Sequence, residues 1–178
     1  VWDLPAFFDG TAYDGPYCSM VVEDILMMEA LGIPCDLYWI DRPWALGDYG
    51  YDDLTWDEAR LPQPLEMTDW LARKGTKLAL WIAPWVQGES MAEEADAMGY
   101  TVEGAIPTRP FDASLLDLTD PEAVQWWQLA LGERITEGIV GFKLDRGEEK
   151  VPDGRVFKGA YADGTDFRPG RNLYPYWY

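Results

Sequence analysis

The stretch Ile139-Val140-Gly141-Phe142-Lys143-Leu144-Asp145-Arg146-Gly147-Glu148 begins as an apolar run and ends in a knot of charges. Burying an unpaired charge costs several kcal/mol, on the order set by desolvation, so charges closing an apolar strand either pair or face a site. Side chains alternate along a strand, which puts Lys143 and Asp145 on one face and turns Leu144 toward the opposite, helix-covered face. A cation beside a carboxylate favours its charged form. The chain has no histidine. This cluster is therefore its best candidate for acid, base or nucleophile work. A plain ion pair at a strand end is the alternative.

Upstream, Asp120-Pro121-Glu122 carries the signals of a helix start: an Asp cap, Pro in the first turn and an early acid. The helix shows an apolar stripe of Val124, Trp127, Leu131 and Ile135 and stops at Gly138, just before the strand. The same grammar occurs twice earlier. A helical segment from Ser19 to Leu31 stops at Gly32 and leads to the strand-like run from Ile33 to Asp41. Another, from Leu65 to Lys74, stops at Gly75 and leads to Leu78-Ala79-Leu80-Trp81-Ile82-Ala83. Helix, glycine and a strand apolar on both faces make the pattern of a parallel α/β sheet. A (β/α)8 barrel fits best, because each strand ends in polar residues and barrel chemistry sits there. A doubly wound sheet is the rival, weakened by the lack of a GxGxxG after any strand. Residues 42–62 and 85–115 are expected to be long βα loops that help build the site. A complete barrel needs about 250 residues, so 178 residues hold only a partial one, roughly the first four βα units.

Composition narrows the function. The net charge of −18, from 32 acidic and 14 basic residues without a Lys/Arg run, argues against a nucleic-acid partner. No apolar run is long enough to span a membrane. The lack of histidine excludes His-based zinc sites and His-dependent triads within residues 1–178, and no metal or cofactor is implied. Cys18 and Cys35 form no CxxC and read as two buried free thiols rather than a disulfide. The N-terminal residues resemble no signal peptide, and the missing initiator Met suggests a start inside a longer protein.

Several separated motifs, in order, resemble glycoside hydrolase family 31, the retaining α-glucosidases and α-xylosidases. They are Ile33-Pro34-Cys35-Asp36-Leu37-Tyr38-Trp39-Ile40-Asp41, Trp56-Asp57, Leu61-Pro62-Gln63-Pro64, Gly75-Thr76-Lys77-Leu78, Trp81-Ile82-Ala83-Pro84, Leu116-Asp117-Leu118-Thr119-Asp120-Pro121, Phe142-Lys143-Leu144-Asp145-Arg146-Gly147-Glu148 and Asn172-Leu173-Tyr174-Pro175. The resemblance spans nearly the whole chain. It implies that residues 1–178 form the N-terminal half of a catalytic (β/α)8 barrel, from the first strand to the helix after the fourth, with the remaining half and flanking domains outside the chain. Asp145 would be the nucleophile and Asp41 a ligand for hydroxyls of the terminal sugar. Trp81 would be a pocket wall and Lys143 a binding residue next to the nucleophile. The general acid/base would be an Asp on a later loop. Arg42-Pro43-Trp44 after Asp41, and Arg146 after Asp145, depart from ordinary α-glucosidase patterns and leave the sugar open.

The chemistry agrees with the composition. Retaining cleavage needs two carboxyl groups about 5–5.5 Å apart and neither histidine nor metal. Asp41 could otherwise be a cap and Trp81 barrel filling. Trp39 shares the face of Asp41 but reads first as core. Trp44, Tyr49, Tyr51 and Trp56 could stack on sugar or anchor a loop, and Glu148 and Glu149 lie too close to Asp145 in sequence to oppose it. The expected function is a retaining α-glycoside hydrolase acting on an oligosaccharide or other α-glycoside. A clan-related α-galactosidase and a catalytically inactive carbohydrate-binding barrel are the alternatives. The segment by itself is expected to be inactive and to fold poorly, since half a barrel leaves sheet edges and an apolar interior uncovered.

Overall fold

The computed structural model describes residues 19–47, 50, 53–87, 91–105, 113–147, 174 and 178. The expectations for Cys18, Tyr49, Tyr51, Glu148, Glu149, Asn172, Leu173 and Pro175 fall outside these residues, as do those for the strand before the first helix and the helix after the last strand.

Three helix-to-strand units emerge as the sequence pattern predicts. Helix α1 (Ser19–Ala30) leads to strand β1 (Leu37–Ile40), α2 (Pro64–Arg73) to β2 (Lys77–Ile82), and α4 (Pro121–Thr136) to β5 (Ile139–Leu144). The three strands form one parallel sheet in the order β1-β2-β5. Each new strand adds on the same side of the last, the winding sense of a barrel wall. Strand β2 is the central one and is buried from Leu78 to Ile82. Helix α2 packs on β2 and α4 on β5.

Local chemistry explains the boundaries. The Asp120 carboxylate caps α4 by accepting from Glu122 N–H at 2.9 Å, and Pro121 occupies the first turn. Gly138 ends the unit with φ 97, where a Cβ would also press to 3.0 Å from Thr68 Cγ2. Strand β1 is shorter than the Ile33–Asp41 run suggested. Pro34 cannot donate to a ladder, and contacts to β2 begin with Thr76 Oγ1 donating to Cys35 O at 2.8 Å and Lys77 N–H to Asp36 O at 2.9 Å. The stripe on α4 also needs correction. Val124 and Leu131 pack partly against the core, but Ile135 is exposed, and the inward position two turns after the buried Trp127 belongs to Arg134. Helical periodicity brings residue 134, not 135, back to that face.

Residues 85–115 contain more structure than a plain loop. Strands β3 (Trp85–Val86) and β4 (Ser114–Leu115) pair antiparallel, with helix α3 (Met91–Met98) between them. In the other connection, Trp44 and Trp56 are buried and meet edge to face at 5.1 Å, beside a bridge between Ala45 and Trp56. They are anchors, which settles for these two residues the choice between stacking and anchoring. Cys35 is a free thiol, half-buried rather than buried.

Candidate active site

Register decides which side chains meet. Trp39 lies beside Ala79, Ala79 beside Gly141, and Trp81 beside Lys143. A register shift between Leu78 and Ala79 is absorbed at Val140, an extra residue of the bulge type, and it sets the alternation of β5 beyond it. Lys143 and Asp145 consequently share the face of Trp81, as the two-residue spacing predicts. Leu144 falls on the opposite face but is 53% exposed, so no described helix covers it.

At the C-terminal ends of the strands, one ammonium joins two carboxylates. Lys143 Nζ donates to Asp145 Oδ2 at 3.1 Å and to Asp41 Oδ2 at 3.2 Å. The Trp81 indole N–H donates to the same Asp145 Oδ2 at 2.7 Å, while Asp145 Oδ1 accepts from Arg146 N–H at 2.8 Å. Asp41 Oδ1 accepts from Arg42 N–H at 2.8 Å. Three predicted residues from the ends of β1 and β5 thus touch, and the fourth, Trp81 of β2, is buried with its polar edge on Asp145. Lys143 also sits 5.9 Å over the Trp39 ring. Trp39, expected in the core, is 54% exposed. It stands on the same strand face as the charged cluster, two residues from Asp41, rather than under a helix.

Partial burial pushes the Asp145 carboxyl up, but hydrogen bonds from Trp81, Lys143 and Arg146 N–H outweigh it and hold the group below its ordinary value. Desolvation lowers Lys143, yet its bonds and charge contacts with Asp145 and Asp41 win and raise it. Both shifts favour the ionised pair. The side chains of Asp41, Lys143 and Asp145 all remain about two-fifths exposed, open to an incoming polar ligand.

Trp44, expected to stack or to anchor, and Trp85 and Tyr178, which sequence reasoning passed over, hold this cluster in place. Trp44 donates its indole N–H to Trp81 O at 2.7 Å, and Trp85 donates to Arg146 O at 3.1 Å. Arg146 has φ 63, a left-handed conformation that costs a non-glycine residue about 1–2 kcal/mol. The Trp85 bond to its carbonyl helps retain it. The Tyr178 hydroxyl accepts from Asp145 N–H at 3.3 Å. An isolated aromatic has no periodic signature, so only the abundance of Trp and Tyr hinted at Trp85 and Tyr178 as supports. Among the described residues there is no cluster of three or more His, Cys, Asp or Glu placed to hold a metal ion.

Residues 17–178 match the family model described as the glycosyl hydrolases family 31 TIM-barrel domain. The chain belongs to glycosyl hydrolase family 31. Membership favours the barrel over the doubly wound alternative. Among curated relatives, the α-xylosidase XylQ of Lactiplantibacillus pentosus is 28% identical over 154 residues, covering 83% of this chain and 20% of its own length. The neutral α-glucosidase AB of Mus musculus is 34% identical over 104 residues, 53% of this chain and 11% of the relative. The chain thus spans a fifth or less of these relatives. Among solved structures, the Flavobacterium johnsoniae GH31 dextranase complexed with glucose superposes with a TM-score of 0.70 at 22% identity, over 92% of this chain and 21% of that one. A GH31 α-xylosidase from a soil metagenome complexed with xylose gives 0.71 at 22% identity, over 91% and 24%. These superpositions carry the family 31 fold.

Proposed function

We propose that this chain is part of the catalytic barrel of a retaining α-glycosidase, contributing roughly the first four βα units, with β1, β2 and β5 as the second, third and fourth barrel strands. The supporting observation is the Asp41–Lys143–Asp145 bridge at the strand ends, with the Trp81 indole on the same carboxylate oxygen. Barrel enzymes keep their chemistry at this end.

In this proposal the Asp145 carboxylate attacks the anomeric carbon of a terminal α-linked sugar. The glycosidic C–O bond breaks, the leaving oxygen takes a proton from a second carboxyl outside the described residues, and a glycosyl ester forms on Asp145. Water, deprotonated by that second group, then cleaves the ester and frees the carboxylate. Lys143 keeps Asp145 ionised and offers its ammonium to a sugar hydroxyl. Asp41 accepts hydroxyl hydrogen bonds, and Trp81 walls the pocket while orienting the nucleophile. Relatives named as α-xylosidases and α-glucosidases suggest an α-xyloside or α-glucoside as substrate.

The test uses the full-length parent protein and activated 5-fluoro α-glycosyl fluorides of the gluco, xylo and galacto series. Labelling of Asp145, identified by peptide mass spectrometry, together with loss of turnover in Asp145→Asn, is the expected result. A label from the galacto reagent alone would replace the substrate assignment with an α-galactoside. A folded protein labelled by none, or wild-type turnover in Asp145→Asn, would overturn the catalytic role and favour a binding barrel.

A further inference from the structure

We propose that Tyr178 is a positioning residue for Asp145, an inference that rests on the nucleophilic role given above. Its hydroxyl donates to Ile82 O at 2.9 Å and accepts from Asp145 N–H at 3.3 Å. The same N–H reaches Ile82 O directly at 3.0 Å. The last contact between β2 and β5 is therefore a closed triangle of two strands and one hydroxyl. It sits on the backbone of the residue that must attack.

The ring has a second task. A Cβ at position 147 would lie 2.6 Å from Tyr178 Cδ1 and 3.3 Å from Cε1. The backbone of Gly147 is outside the left-handed region, so the ring rather than the dihedral demands glycine there. Behind Tyr178, the Tyr174 ring stacks at 6.4 Å and 26°. Tyr174 is buried and its hydroxyl donates to Leu116 O at 2.7 Å, while Leu116 N–H donates to Pro84 O at 3.0 Å. The two tyrosines form a strut from the segment beside the β3–β4 pair to the end of β5. Trp85 donates to the carbonyl of Arg146. The Tyr178 hydroxyl bonds to the backbone of Asp145, so it governs where the carboxylate stands and leaves its charge to Trp81 and Lys143.

That separation is testable in the full-length parent protein with the same 5-fluoro glycosyl fluorides. Tyr178→Phe should slow labelling of Asp145 and lower kcat by about tenfold, the scale on which small misplacements of reacting groups count. KM should stay within about twofold, and the acidic limb of the pH profile should not move. Trp81→Phe, in contrast, should move that limb. As a second measurement, Gly147→Ala should slow labelling strongly in the wild-type background and much less in Tyr178→Leu, where the ring is gone. Parental labelling rate in Tyr178→Phe, or a loss explained wholly by a shifted acidic limb, would overturn the positioning role while leaving the nucleophile in place. A folded parent that is never labelled would remove the nucleophile itself and this inference with it.

Discussion

Trp81 and Lys143 meet on a single atom: both donate to Asp145 Oδ2, at 2.7 Å and 3.1 Å. The indole is buried and cannot wander, whereas the ammonium is on a half-open side chain shared with Asp41. One donor is fixed and neutral, the other mobile and charged, and their removal should be distinguishable.

Trp81→Phe keeps most of the packing and deletes the fixed donor. A hydrogen bond to a charged group contributes about 1.5–3 kcal/mol, so kcat/KM should fall at least roughly tenfold. The acidic limb of the kcat/KM profile should shift to higher pH, because a bond that favours the carboxylate is gone. An unmoved limb would assign Trp81 to packing alone.

Lys143→Met removes the shared cation and leaves Asp41 and Asp145 facing each other without it. The acidic limb should again move up, and kcat should drop by about tenfold or more. Lys143→Arg should restore little, since a planar fork does not replace a compact ammonium between two carboxylates. Full activity in Lys143→Met would reduce the bridge to a plain structural pair.

Stability should follow the same ionisation. The folded state holds the Asp145 carboxyl below its ordinary value of 3.8. The contribution of its ionised form is thus present above the unfolded pKa and is lost as pH falls through the folded one. Melting temperatures of the full-length protein and Asp145→Asn, taken from pH 6 downward to about 2, should differ by a pH-dependent amount in which the wild type loses ground on acidification. A constant difference would contradict the shift.

Away from the site, Arg134 ties two elements together. Its NH1 donates to Leu54 O at 2.6 Å and its NH2 to Glu137 Oε1 at 2.8 Å, while Glu137 Oε2 accepts from the Trp56 indole at 2.8 Å. Arg134→Ala should destabilise by about 2 kcal/mol or more, because a buried carbonyl loses its side-chain donor and a largely buried carboxylate loses its cation, keeping only the Trp56 indole. Asp120→Ala should cost about 1 kcal/mol as a lost cap and leave KM unchanged. Chemical denaturation of the parent and both variants measures the order, and equal losses would argue against the buried role of Arg134.

The units around Gly32, Gly75 and Gly138 were legible because helix stops and apolar strands are local signals. So was the common face of Lys143 and Asp145, which depends only on alternation. The bulge at Val140 was not, since it depends on the partner strand. Trp39 and Trp44 show the same boundary between local and tertiary information. Both are Trp near one strand end, yet Trp39 is exposed beside Lys143 and Trp44 is buried on the carbonyl of Trp81. The β3–β4 pair involves strands too short for a period to be read. Tyr178 reaches Asp145 across a sequence separation that no local pattern encodes.

The bridge from Lys143 to Asp41 joins residues 102 positions apart. At ribosomal speeds of about 5–20 residues per second, Asp41 enters the cell about 5–20 s before Lys143 is made. During that interval β2 can pair with β1 on one side only, and its other edge, the apolar Lys77–Ile82 segment, waits for β5. The nascent chain therefore carries an unpaired apolar strand edge for seconds, a substrate for chaperones and a hazard for aggregation. Lys77 puts a charge at the head of that strand, and α2, made before it, packs against β2 in the folded chain.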